Sequence, residues 1–274
     1  MVDFLKQPVI KWPGSKRPVA DCLGKIWNLV VSVQSRYFDP FVGGGSMLVK
    51  RPVRIAYAGN IINELIELWR AIQTDPNGLS EHYRKLYEQT EKEKQIYYAV
   101  RQRFNKNRSP YDFLYLSRMC INGRVRFNAK GEFNSSLALN RGGIRPQTLA
   151  FILHTWSIAL QGVEFCCRDY RETLELVYRG DLVFLDPPYF GTQNAFYSQR
   201  EFTKDDFWQT IERLNCIGAF WMMTLDGSAG DREYEFRPPV DLYKRSFSIE
   251  TGDSSFAKMR GKKEVILESV YINF

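Results

Sequence analysis

The chain has 274 residues, 44% hydrophobic and 25% charged, with a formal net charge of +7; that length buries a sizeable core, as one α/β domain with an insertion or as two small domains, and the charge suits a polyanionic partner. No apolar run approaches the ~20 residues that span a bilayer, and the N-terminal Met-Val-Asp-Phe-Leu-Lys-Gln-Pro has no apolar signal core, so no membrane span and a cytoplasmic location are expected. Five cysteines without a Cys-x-x-Cys spacing, and two histidines, His82 and His154, supply neither a disulfide framework nor a zinc site, so no metal is expected.

In chain order, the first informative segment is Ile10-Lys11-Trp12-Pro13-Gly14-Ser15-Lys16, ahead of a helical pattern from about Pro18 to Val30. Ser15 is expected to cap that helix. A ring at Trp12 and a cation at Lys16 together suit a ligand with a flat face and a carboxylate. Next, Tyr37-Phe38-Asp39-Pro40-Phe41-Val42-Gly43-Gly44-Gly45-Ser46 reads as a strand end turning through glycines into a helix. Glycine tolerates φ > 0 and lets backbone approach a ligand closely, and a carboxylate at Asp39 suits an ammonium group. The turn matches neither a Walker loop nor G-x-G-x-x-G at full spacing. A strand over Val53–Ala58 leads to Gly59-Asn60 and a helix over Asn63–Ile72; nucleoside-binding α/β sheets commonly place an acid where Asn60 stands, to hold ribose hydroxyls. An amide makes those hydrogen bonds without charge, so weaker cofactor binding is expected.

From Asp75 to about Gln161 the pattern changes to polar, aromatic-rich helices, such as Tyr83–Tyr87 and Ile96–Arg103, which mark an inserted domain. Within it, alternation over Arg124–Asn128, an Ala-Lys-Gly turn and a return through Phe133 predict a β-hairpin. Its Arg, Asn and Lys side chains are the kinds that bind phosphates and read base edges. The sheet pattern resumes at Val163–Cys167, followed by Arg168-Asp169-Tyr170 and a helix over Glu172–Tyr178. A helix over Lys204–Leu214 is capped by Thr203, and strand Ala219–Leu225 ends in an Asp226-Gly227 turn. Strands Leu242–Ile249 and Glu264–Ile272 form an antiparallel hairpin at the sheet edge. Alternating strands and helices make the core α/β.

The stretch that organises the chain is Leu182-Val-Phe-Leu-Asp186-Pro187-Pro188-Tyr189. Its apolar run reads as a strand buried on both faces, which places Asp186 at a strand's carboxyl end, where open α/β sheets keep their chemistry. Two prolines fix φ and offer no N–H, so the carbonyls of Asp186 and Pro187 stand as acceptors, and Tyr189 adds an aromatic face. One carboxylate, rigid carbonyls and a ring suit a planar exocyclic amine, such as that of a nucleobase.

The motifs, in the order Lys-Trp-x-Gly-x-Lys, Asp-Pro-Phe-x-Gly-x-Gly-Ser, an insertion and Asp-Pro-Pro-Tyr, resemble the Dam-type (alpha-class, D12) DNA adenine-N6 methyltransferase family, with similarity from about Lys11 to the end. The resemblance implies a Rossmann-like methyltransferase sheet of seven strands, the last inserted antiparallel, with an inserted, mainly helical DNA-recognition domain carrying a β-hairpin. Residues 1–74 and 162–274 would form the catalytic domain, and 75–161 the recognition domain. It implies S-adenosyl-L-methionine as methyl donor, held by Trp12, Lys16, Asp39, Pro40, Phe41, Gly43, Gly45, Ser46, Asn60 and Asp186, with Asp169 meeting the cofactor's adenine. The catalytic group is Asp186, Pro187, Pro188 and Tyr189. Double-stranded DNA would be met by Lys11, Arg118, Asn122, Arg126, Asn128 and Asn134. Asn60 replaces the family's usual acid. Ile121 stands where an aromatic wedge is usual, Arg124 where an apolar residue touches the site, and Ser136 where a proline does, so an altered or relaxed recognition sequence is expected. The implied reaction extrudes an adenine from the duplex and methylates its N6. The acceptor pocket also fits N4-cytosine or RNA methylation, and a DNA-binding module without cofactor use is the remaining alternative.

Overall fold

The computed structural model describes residues 4–139, 142–188, 202–229, 232–233, 237–253 and 265–274. Five strands run parallel: β1 (Tyr37–Asp39), β2 (Ala56–Asn60), β3 (Val163–Cys167), β4 (Leu182–Leu185) and β5 (Phe220–Ala229). The sheet order is β3-β2-β1-β4-β5-β8-β7, with the short β6 (Arg232–Glu233) paired to the end of β5. The final strand β8 (Val265–Ile272) inserts antiparallel between β5 and β7 (Arg245–Asp253). It is an inner strand, and β7 alone of that pair forms the edge.

Strand alternation sorts the side chains into two layers. Tyr37, Leu182, Phe184, Met222, Val270 and Ile272 face one core, which is continuous with the helices of the insertion. Phe38, Val183, Leu185, Met223 and Tyr271 face the other, closed by α7 (Tyr170–Leu174) and α8 (Lys204–Ile217). All four residues of β4 are buried, as its uninterrupted apolar run requires.

Between β2 and β3 the chain makes α2 (Asn63–Thr74) and then the insertion helices α3 (Pro76–Lys92), α4 (Gln95–Asn107), α5 (Pro110–Met119) and α6 (Pro146–Ala159). Three of these start with proline at the first helical position, where its missing N–H costs nothing. The stacked rings of Trp69 on α2 and Trp156 on α6, 5.4 Å apart, tie the insertion to the sheet. Among the described residues no helix is long and apolar enough to cross a membrane.

Several local expectations change. The first helix α1 is short, Ala20–Ile26, and Ser15 does not cap it: its hydroxyl lies 2.7 Å from that of Ser46 and pins the first loop to the glycine turn. The glycine turn leads to a single 3₁₀ turn, Leu48–Lys50, and not to an α-helix. Asp226-Gly227 does not end β5; the register shifts there as a bulge, and pairing with β8 continues. The hairpin is abbreviated to one bridge, Phe127 with Phe133, closed by bonds from Asn128 N to Glu132 O and from Asn134 N to Arg126 O.

Candidate active site

The switch in strand order lies between β1 and β4, whose neighbours diverge to opposite sides, and open α/β sheets bind ligands in the crevice there. Asp39 is the last residue of β1, and Asp186 directly follows β4. Tyr37 pairs with Leu182 and Phe38 with Val183, so alternation puts Asp39, Phe184 and Asp186 on one face. All three line a cavity of about 280 Å³, together with Trp12, Lys16, Phe41, Gly43, Ser46, Ile62, Val125, Pro187 and Pro188.

Its charges are specific. Lys16 is only 3% exposed, and its Nζ lies 3.0 Å from Asp186 Oδ1 and 3.2 Å from Glu268 Oε1. Thr224 on β5 donates to the same Asp186 oxygen at 3.0 Å. Among the described residues both of these contacts fall on Oδ1, leaving Oδ2 for an incoming donor. Burial raises the Asp186 carboxyl, against the lowering effect of Lys16 and Thr224. Asp39 is buried; the Phe41 backbone N–H donates to its carboxylate, while Oδ1 has no partner among the described residues. Burial, and then the charge of Asp186, push Asp39 up to about 8.

The glycine turn is shaped by tryptophans. A Cβ on Gly43 (φ +43°) would lie 3.0 Å from Trp12, and one on Gly45 (φ +68°) 3.1 Å from both Trp69 and Trp156. Trp69 Nε1 donates to the Gly43 carbonyl at 3.1 Å and fixes the turn. Trp12 therefore packs on bare backbone at the cavity wall.

A second cavity, about 570 Å³, adjoins the first across Trp12, Pro13 and Val125, which line both. Its other walls are Lys11, Asn122, Gly123, Arg124, Arg126, Phe127 and Asn134. The exposed residues Lys11, Asn122, Arg124, Arg126 and Asn134 line this cavity; Ile121 and Ser136, also exposed, are joined to each other by a bond from Ile121 N to Ser136 O and do not line it. Asn122 (φ 56°) and Gly123 (φ +65°) turn the backbone so tightly that a Cβ on Gly123 would meet Lys11 at 2.6 Å.

The remaining candidates have internal partners. Asn128 accepts from the backbone of Lys130 and Glu132 and donates to the Glu132 carboxylate, so its amide builds the hairpin turn. The Arg118 guanidinium is largely buried and donates to the Pro8 carbonyl, and burial lowers it to about 10. Asn60 Oδ1 accepts from Ile62 N at 3.0 Å, and Ile62, not Asn60, lines the cavity. Asp169 caps α7 and is paired with Arg171 at 2.9 Å. Tyr189 lies outside the described residues, as do Gln193, Tyr197 and Arg200 of the polar loop.

Sequence reasoning passed over Glu268, Thr224 and Val125, which reach the site from elements distant in the chain. It also passed over Asn105, whose amide bonds both backbone groups of Phe133, at 3.1 and 2.8 Å, and seats the hairpin on α4.

Comparisons with known proteins place the chain in a family. Residues 12–218 match the family model of D12 class N6 adenine-specific DNA methyltransferases. The type II methyltransferase M.MjaIII of Methanocaldococcus jannaschii is 30% identical, over 73% of this chain and 75% of its own. A DNA adenine methylase of Serratia marcescens is 28% identical, over 66% of each chain. The retron Ec67 DNA adenine methylase of Escherichia coli is 28% identical, over 72% of this chain and 68% of its own. The chain belongs to the D12 class N6 adenine-specific DNA methyltransferase family, and so to the enzymes that methylate adenine in DNA.

Proposed function

We propose that this protein transfers the methyl group of S-adenosyl-L-methionine to N6 of an adenine rotated out of duplex DNA, with the cofactor in the first cavity and the DNA across the second. The observation that carries this reading is the pairing of two unlike carboxylates at the switch point. Asp186 is fixed by Lys16 and Thr224, and Asp39 keeps a buried oxygen without a partner. A buried unsatisfied acceptor is costly unless a ligand donates to it, and the cofactor's α-ammonium suits it. The glycine turn, which a Cβ would fill, and the Trp12 ring suit the rest of that molecule. When bound, it supplies an electrophilic methyl on a sulfonium.

The chain's own groups then orient and polarise the base. Asp186 Oδ2 and the Pro187 carbonyl accept the two N6–H bonds and draw the nitrogen out of conjugation toward a tetrahedral shape. Proline at 188 has no N–H to compete for that carbonyl. The low-dielectric cavity strengthens these bonds, so positioning and electrostatics carry the rate. Tyr189 is the stacking partner in this reading. Ile121 fills the space the base leaves, and Lys11, Arg124, Arg126 and Asn134 hold the duplex along the rim. Residues 75–161 serve as the recognition domain.

The test is nucleoside mass analysis after incubation with duplex DNA and S-adenosyl-L-methionine. N6-methyladenine is expected from the parent and none from a folded Asp186→Ala variant; N4-methylcytosine as product, or an active Asp186→Ala enzyme, would overturn the reading.

A further inference from the structure

Glu268 interrupts an apolar strand face. In β8, alternation aligns it with Val270 and Ile272, and Val270 pairs with Thr224 of β5, so Glu268 and Thr224 share the face that looks toward the switch point. The residue is 8% exposed. A buried carboxylate in this setting costs desolvation that an apolar side chain would avoid. Its carboxylate meets Lys16, the residue that also holds Asp186.

One ammonium between two carboxylates has a consequence for the one that meets substrate. A Lys16 bonded to Asp186 alone would neutralise it and make it a weak acceptor for an amino group. With the ammonium shared between Asp186 and Glu268, Asp186 keeps more of its negative charge for the reacting nitrogen, which becomes positive as the methyl is transferred. Charged groups about Asp186 include Lys16 from the first loop, Asp39 from β1 and, across the shared ammonium, Glu268 from β8. The contacts to one Nζ atom hold the Glu268 and Asp186 oxygens no more than about 6 Å apart, within range of direct electrostatic influence.

We propose that Glu268 is a positioning residue for methyl transfer: by sharing the Lys16 ammonium it fixes that side chain and keeps Asp186 a strong acceptor. The proposal rests on the catalytic reading of Asp186 above.

The experiment compares Glu268→Gln with the parent in steady-state kinetics across pH, with cofactor binding measured by calorimetry. Expected are a roughly tenfold loss in kcat, an unchanged KM for DNA and an unchanged Kd for S-adenosyl-L-methionine. The acidic limb of the kcat profile should move down by about one pH unit, because removing a negative charge makes Asp186 easier to ionise. Glu268→Met, which suits the apolar face, keeps the test open should the Gln variant fold poorly, and it should behave alike. A folded variant of either kind with parental kcat and an unmoved acidic limb would overturn the proposal. So would a loss confined to KM or to cofactor affinity. An active Asp186→Ala enzyme would instead bring down the catalytic reading beneath it, so the two failures are distinguishable.

Discussion

Asp39 and Asp186 leave neighbouring parallel strands at the same end of the sheet and open into one cavity, but Lys16 sits on Asp186 while a buried oxygen of Asp39 has no partner among the described residues. The asymmetry distinguishes two otherwise identical side chains: one is held by a cation, and the other keeps a buried oxygen open to the cavity.

Asp39 should therefore be bad for the fold and good for binding. Its carboxyl is raised to about 8 in the folded protein against 3.8 for the ordinary group, so the folded state prefers the protonated form. A group shifted this way gives its full stability below about pH 4 and loses it progressively as pH rises to about 8. Asp39→Asn should then raise the stability of the free enzyme by a few kcal/mol at pH 8, on the order of what the shift implies, and by much less at pH 5. Urea denaturation at the two pH values checks this. The same variant should weaken S-adenosyl-L-methionine binding at least tenfold, seen by calorimetry.

The glycine turn should separate fold from site. At Gly45 an added methyl meets two buried indoles and a backbone at φ +68°, so Gly45→Ala should cost about 2–4 kcal/mol of stability. At Gly43 it meets Trp12, a cavity-wall ring, so Gly43→Ala should cost less stability but displace that ring. Thermal melts should rank Gly45→Ala as the less stable of the two, and calorimetry should show cofactor affinity falling in Gly43→Ala even where the protein remains folded.

Why the sequence revealed one acid and hid the other follows from range. Asp186 was legible because an uninterrupted apolar run can only be a strand covered on both faces, and its first polar residue then marks the strand's end. The same local logic found Asp39 and the glycines. Glu268 lies 252 residues from its partner Lys16, and nothing near it in the chain distinguishes it from a solvated residue on an edge hairpin. Only the insertion of β8 beside β5 turns it inward. Ser15 misled as a helix cap, and Asn60 gained a partner the pattern did not show, for a related reason. Each has a local partner that propensity does not rank, the Ile62 amide for one and the Ser46 hydroxyl for the other.

Asn105 tests whether the Phe127–Phe133 hairpin depends on its seat. Its amide bonds the N–H and C=O of Phe133 as a neighbouring strand would, and Phe104, Phe113 and Phe127 pack around that ring. Asn105→Ala leaves two backbone groups of the hairpin without these partners and should cost about 1–3 kcal/mol locally. The KM for duplex DNA should rise severalfold with cofactor affinity unchanged. A rise in cofactor Kd of the same size would show that the hairpin and the first cavity, joined at Val125, respond as one.

Ile121 is 49% exposed, an apolar side chain next in the chain to the left-handed Asn122-Gly123 turn, whose two residues line the second cavity. Nothing in the folded chain needs it there, so Ile121→Ala should change stability by no more than about 0.5 kcal/mol. Extruding a base from an intact duplex costs a few kcal/mol, and a side chain that occupies the gap recovers part of it. Ile121→Ala should accordingly slow single-turnover methylation of a fully paired duplex by roughly tenfold, while a substrate whose target adenine faces a mismatch, already weakly stacked, should lose much less. An equal loss on both substrates would assign Ile121 to duplex binding rather than to extrusion. A fluorescent base analogue at the target position would distinguish the two directly, through the amplitude of its unstacking signal.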